Sequence, residues 1–153
     1  MSIERILDAY GDRLYRMCFV MLGNEADAED AVQETLIRYF QKAPPFSDAE
    51  HEKAWLLRVA ANQCRDILRL KTRHNHADVD SLSIAAPAAP DQQILEALMA
   101  LPEKYRLVMM LHYVEEYRVE DIAKIIEKTP SAIKMRLQKG RKLLGDIYRR
   151  EYL

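Results

Sequence analysis

The chain has 153 residues, enough for one ordinary domain or two small ones, with a formal net charge of −1 and only four glycines. Two cysteines without paired spacing exclude a disulfide framework, and no stretch approaches the roughly 18 apolar residues of a membrane span. The near-zero charge hides an asymmetry: residues 1–70 carry 9 Lys+Arg against 12 Asp+Glu, whereas residues 131–150 carry 7 against 1.

Helical periodicity starts at the N-terminus. Ile3, Ile6, Leu7, Tyr10 and Leu14, continued by Met17, Cys18 and Met21, form one apolar stripe, which Gly23-Asn24 breaks. Ala28, Ala31, Val32, Thr35, Leu36 and Tyr39 form a second stripe, ending before Pro44-Pro45. Leu56, Val59, Ala60, Cys64 and Ile67 form a third, within a helix expected over about 52–70. Both cysteines fall on apolar faces and read as buried thiols. Residues 71–90 lose the stripe and end in an Ala/Pro segment, the composition of a semi-rigid linker. Helical pattern resumes at Ile94, Leu95, Leu98 and Leu101, and Pro102 opens a further helix with Leu107, Met110, Leu111 and Val114 at i, i+3, i+4, i+7. No period-2 run of β-branched residues occurs, so a sheet is excluded.

The stretch from Val119 to Leu144 carries the most information. Val119, Ile122, Ala123 and Ile126 make the apolar face of a short helix. Thr129-Pro130 then reads as a helix start: a hydroxyl to cap free N–H groups, followed by a residue whose fixed φ suits the first helical position. Ile133, Leu137, Gly140 and Leu144 mark the buried stripe of the second helix, and Lys134, Arg136, Gln138, Lys139, Arg141 and Lys142 lie on its other faces. A capped basic helix after a tight corner is the arrangement that enters a DNA major groove, although spacing alone also fits a helical hairpin with a solvated basic face. The expected fold is all-α: two small helical domains, 1–70 and 91–153, joined by a flexible linker over 71–90, with a helix-turn-helix in the second.

Taken in order, four segments resemble bacterial sigma factors of the extracytoplasmic-function type, the minimal kind with only the second and fourth conserved regions. Asp27-Ala28-Glu29-Asp30-Ala31-Val32-Gln33-Glu34-Thr35-Leu36 resembles the helix that binds core RNA polymerase, and Trp55-Leu56-Leu57-Arg58-Val59-Ala60-Ala61-Asn62 the next helix, which takes part in promoter melting. Leu101-Pro102-Glu103-Lys104-Tyr105-Arg106 resembles the opening of the fourth region, and Ala132-Ile133-Lys134-Met135-Arg136-Leu137 its recognition helix. The chain departs from the family at Ile126-Glu127-Lys128, where a Gly commonly ends the first helix of the corner, and at Ser131-Ala132, where Gly-Thr is frequent.

The resemblance implies a function and a set of residues. Asp30, Gln33, Glu34 and Ile37 would dock on core polymerase, with the β′ and β subunits as partners. Trp55, Arg58, Asn62 and Arg65 would meet the −10 element. Asn62 is the base-reading candidate among them, because an amide both donates and accepts. Its pocket would be framed by this helix and residues 46–51, and Trp55 could equally anchor the core. Ser131, Lys134, Met135, Gln138 and Lys139 would reach the −35 element, while Arg136, Arg141 and Lys142 would grip phosphates along it. The resemblance further implies an anti-sigma factor as partner, promoter DNA as ligand, a cytoplasmic location and no chemistry of the chain's own.

The residues show no catalytic constellation and no phosphate-binding glycine loop, and no cofactor or small-molecule substrate is expected. His74 and His76 form a His-x-His pair, but no converging ligand set accompanies them, so no metal site is expected. Two other readings stand beside this one: a conventional helix-turn-helix regulator whose first domain dimerises or senses a ligand, and an enzyme with an incidental basic hairpin.

Overall fold

A computed structural model describes residues 3–74 and 90–152 of the chain, with side chains for 3–71 and 93–151. Every regular element among them is helical, as the periodicity requires. The chain forms two compact units, 1–83 and 84–153.

In the first unit, α1 (Ile3–Leu22), α2 (Glu25–Lys42) and α3 (Ala49–His74) each pack against the other two. The turn between α1 and α2 uses both residues of its dipeptide. Gly23 takes φ 80 at the end of α1, and Asn24 caps α2 by accepting the Asp27 backbone N–H at 2.8 Å. The core is built from the predicted stripes, with Ile6, Leu14, Met17, Ala28, Ala31, Leu56 and Ala60 all but inaccessible and both thiols buried. Ile3 and Leu7 depart from this pattern and stand exposed near the start of α1. α3 begins three residues before the expected Glu52 and runs through His74, into the segment read as linker. The rest of that segment up to residue 89, including His76, lies outside the described residues.

In the second unit, α4 (Pro90–Met99), α5 (Glu103–Met109) and α6 (Val119–Ile126) pack against or around α7 (Pro130–Tyr152), the long helix at its centre. α5 continues as a π-helical turn, Met110–Val114, in which the Glu115 N–H donates to the Met110 carbonyl. The wider turn shifts the register of the predicted stripe. Leu107, Met110 and Leu111 are buried, but Val114 is turned out and stands 40% exposed. Gly140 marks the close approach of α5 to α7, since a Cβ there would lie 3.1 Å from Met109 Cγ.

Candidate nucleic-acid and partner interfaces

The expected polymerase-docking residues lie on one side of α2, opposite its alanine stripe. Asp30, Gln33 and Ile37 are exposed, while Glu34 is half-buried and pairs with Arg38 at 3.5 Å. The centre of this face is apolar. Ile37 and Phe40, both nearly half exposed, join Ile3 and Leu36 around a hollow of about 560 Å³, with Gln33 and Gln41 at its rim. Phe40, Leu36 and Ile3 were not among the sequence candidates. The signal for Phe40 was its position three residues after Ile37, off the buried stripe.

On α3, Trp55, Arg58, Asn62 and Arg65 follow one another at helical spacing. Arg58 and Asn62 are exposed, and Trp55 and Arg65 are half-buried. Trp55 belongs to an aromatic cluster. Its ring meets Tyr39 edge-on at 6.0 Å and Phe46 at 5.9 Å, Phe46 stacks on Tyr39 at 6.0 Å, and His51 meets Phe46 edge-on at 5.2 Å. The loop before α3 is thus fastened by Phe46 from inside and by its cap from outside, where Asp48 accepts the His51 N–H at 2.8 Å and the Ser47 N–H donates to His51 Nδ1 at 3.1 Å.

Beneath this cluster sits Glu52, a buried carboxylate that sequence reasoning missed. It ties all three helices together: it accepts from Tyr10 on α1 at 2.8 Å, from Tyr39 on α2 at 2.5 Å and from Arg5 on α1 at 2.9 Å. Burial alone pushes its pKa up, but hydrogen bonds from Tyr39, Arg5 and Tyr10 outweigh burial and hold it below the usual carboxylate value. The same burial, together with the bond to Glu52, pushes the Tyr10 hydroxyl up to about 12. A glutamate in a first helical turn ordinarily reads as surface charge favouring the helix dipole, so nothing local announced this role.

In the second unit, the corner between α6 and α7 is made without glycine. Glu127 adopts φ 58 and ψ 51, the left-handed conformation that ends α6. Thr129 caps α7 as expected, its Oγ1 accepting the Ala132 N–H at 3.1 Å. Ile133, Leu137 and Gly140 face the core and Leu144 is half-buried. Ser131, Lys134, Met135, Gln138, Lys139 and Arg141 are exposed, Met135 by 70%, while Arg136 is half-buried. Arg136 and Lys139 line a hollow of about 270 Å³ with Lys104 and Tyr105, and the Lys104 and Lys139 ammonium groups lie 5.2 and 5.8 Å from the centre of the Tyr105 ring.

Ion pairs are few among the described residues of the second unit. Arg118 pairs with Asp121, and Arg149 with Asp146 at the far end of α7. Lys134, Arg136, Lys139, Arg141 and Lys142 have no carboxylate partner among the described residues. No acidic residue stands in the first turn of α7 either. Five cations on one helix without counter-charge form a field suited to a phosphate backbone. On its other flank, α7 closes an apolar groove of about 680 Å³ with Ile94, Leu98, Met109, Tyr113 and Val114. Among the described residues no group of His, Cys, Asp and Glu is placed to hold a metal ion, and no helix is long and apolar enough to cross a membrane.

This fold and these surfaces have counterparts. Residues 6–74 match the model of sigma-70 region 2, and residues 91–144 match sigma-70 region 4. The chain belongs to the sigma-70 family and is a sigma factor of the extracytoplasmic-function type. It is 29% identical to the extracytoplasmic-function sigma factor SigW of Bacillus subtilis, over 91% of this chain and 84% of that protein. It is 26% identical to SigV of the same organism, over 85% of this chain and 81% of that protein. Among solved structures it shares its fold with the sigma factor RpoE of Bartonella quintana, crystallised with the anti-sigma factor NepR, at a TM-score of 0.79, 24% identity and 97% coverage of both chains.

Proposed function

We propose that the chain recruits core RNA polymerase and directs it to promoters of two elements, each unit taking one. The observation that carries this reading is the pair of unlike surfaces: uncompensated positive charge on the capped helix α7, and apolar, acid-edged surface on α2. The α2 face of Asp30, Gln33, Glu34 and Ile37, extended by Phe40, docks on core polymerase through its β′ subunit. α7 enters the major groove of the −35 element with Ser131, Met135 and Gln138 toward the bases and Lys134, Arg136, Lys139 and Arg141 toward phosphates.

Asn62 reads an unstacked base of the −10 strand, with Arg58 and Arg65 on neighbouring phosphates and the Phe46–Trp55 cluster as wall. Extruding a base costs a few kcal/mol, and a rigid aromatic wall offsets it by offering a stacking face already in place. The segment between α3 and α4 tethers the two units, so that two weak DNA contacts reinforce each other when their spacing matches the promoter. An anti-sigma factor covering the apolar faces would hold the protein inactive in the cytoplasm. The chain carries no reaction of its own in this account, since nucleotide addition belongs to the polymerase.

Gel filtration of core polymerase with the purified chain tests the first step. Co-elution that an Ile37→Glu, Phe40→Glu variant loses supports the account. A chain that binds promoter DNA tightly without polymerase, and never co-elutes with it, would instead be a conventional helix-turn-helix regulator.

A further inference from the structure

We propose that Tyr113 and Arg141 form a two-donor clamp for a single DNA backbone phosphate, so that the π-helical turn contributes directly to −35 binding; the inference rests on reading α7 as the −35 helix. Arg141 Nη1 donates to Tyr113 Oη at 2.9 Å, joining residues 28 apart in sequence across the exposed edge of the unit. The phenol oxygen accepts that bond, which leaves its own O–H free to donate. The guanidinium has four further N–H donors, and Tyr113 is its only polar partner among the described residues. A neutral acceptor orients the arginine without cancelling its charge. A hydroxyl and a charged planar donor held side by side suit a phosphodiester, which offers two anionic oxygens.

The tyrosine is itself held from behind. Its ring lies edge-on to His112, with centroids 4.7 Å apart and planes at 80°. His112 Nδ1 is 2.8 Å from the Tyr117 carbonyl, and since a carbonyl only accepts, that nitrogen carries the proton. The π turn therefore offers Tyr113 to α7 from a fixed base, although its side is 52% exposed.

Helical spacing places the clamp at a DNA strand and away from base edges. With Ile133, Leu137 and Gly140 facing the core, the opposite ridge of α7 is Ser131, Met135, Gln138 and Lys142, and Arg141 lies on one flank beside Lys134. In a helix seated in a major groove the opposite ridge meets base edges, and the flanks meet the two bordering strands. Phosphate contacts position a protein without carrying sequence, so the clamp should add affinity to every −35 element alike.

The test uses holoenzyme assembled from core polymerase and the full chain, on promoter duplexes that vary only in the −35 element. Tyr113→Phe keeps the ring and the fold and should weaken binding about three- to tenfold on every duplex. In an Arg141→Ala background the same change should matter less than about twofold, because the hydroxyl loses the guanidinium that completes the site. Replacing −35 phosphates one at a time by neutral methylphosphonate should reveal one position that weakens the wild type more than either single variant. If Arg141→Ala weakens binding while Tyr113→Phe binds as the wild type does, the clamp is wrong and the −35 reading stands. If neither change alters affinity, both fail.

Discussion

Glu52 is the residue whose loss should be felt most in the first unit. Glu52→Ala removes the acceptor that the buried hydroxyls of Tyr10 and Tyr39 share at 2.8 and 2.5 Å, and leaves Tyr10 the longer bond to the Ala49 carbonyl at 3.4 Å. A buried donor left unsatisfied costs about 1–3 kcal/mol, and with Tyr10 retaining a weaker acceptor the change should cost about that much, a sizeable share of the 5–15 kcal/mol typical of a whole domain. Glu52→Gln keeps one acceptor and should cost about half as much. The chain has a single tryptophan, Trp55, which packs on Tyr39, so its fluorescence in a urea titration reports this unit selectively. The urea midpoint should fall in the order wild type, Gln, Ala. The pH dependence has a definite sign. Because the Glu52 pKa is lowered in the folded state, its contribution is complete above the unfolded carboxylate value, about 4.3, and is lost as pH falls through the folded value. Tyr10 acts at the other end. Its pKa is raised to about 12, so its contribution is present below about 10 and is lost as pH rises toward 12. Glu52→Gln should flatten the acid limb of the stability curve. A Glu52→Ala chain with an unchanged urea midpoint would refute the reasoning.

Three further outcomes are expected. Glu127→Gly should raise the melting of the second unit, followed by calorimetry, by about 0.5–1 kcal/mol, because a non-glycine residue in the left-handed region is strained by about 1–2 kcal/mol and glycine gives back part of that in backbone entropy; a lower melting temperature would contradict the strain. Ile37→Glu and Phe40→Glu should weaken core-polymerase binding in a competition assay while each shifts stability by no more than about 0.5 kcal/mol, since both side chains are exposed; undiminished competition would remove the apolar α2 face from the interface. Asn62→Ala should reduce promoter opening, read by permanganate reactivity, and leave closed-complex affinity within about twofold, because it removes a single-strand contact alone; equal opening by the two proteins would return Asn62 to the solvated face.

The helices were legible because burial imposes a period. Ile6, Leu14 and Met17, or Ile133 and Leu137, recur where a 3.6-residue turn puts them, and the Thr129-Pro130 pair announces its own cap. The residues that escaped notice depend on partners distant in sequence. Glu52 owes its role to Arg5 and Tyr10, 47 and 42 residues earlier, and no local pattern couples them. Val114 fitted the helical stripe and left the core because the π turn changed the period. Phe40 and Ile3 were each visible as apolar, but the hollow between them exists only once α1 and α2 pack together. Of the DNA candidates, exposure was legible from periodicity, whereas the lack of a carboxylate partner for Lys134, Arg136, Lys139, Arg141 and Lys142 among the described residues required the positions of the neighbouring carboxylates.

Transcription by purified core polymerase on fragmented genomic DNA, with and without the chain, tests the central claim most directly when the 5′ ends of the products are mapped. The account predicts new start sites that appear only with the chain and share two sequence elements at a constant separation, and their loss when Ile37 and Phe40 are both changed to Glu. Start sites identical in the presence and absence of the chain would contradict it.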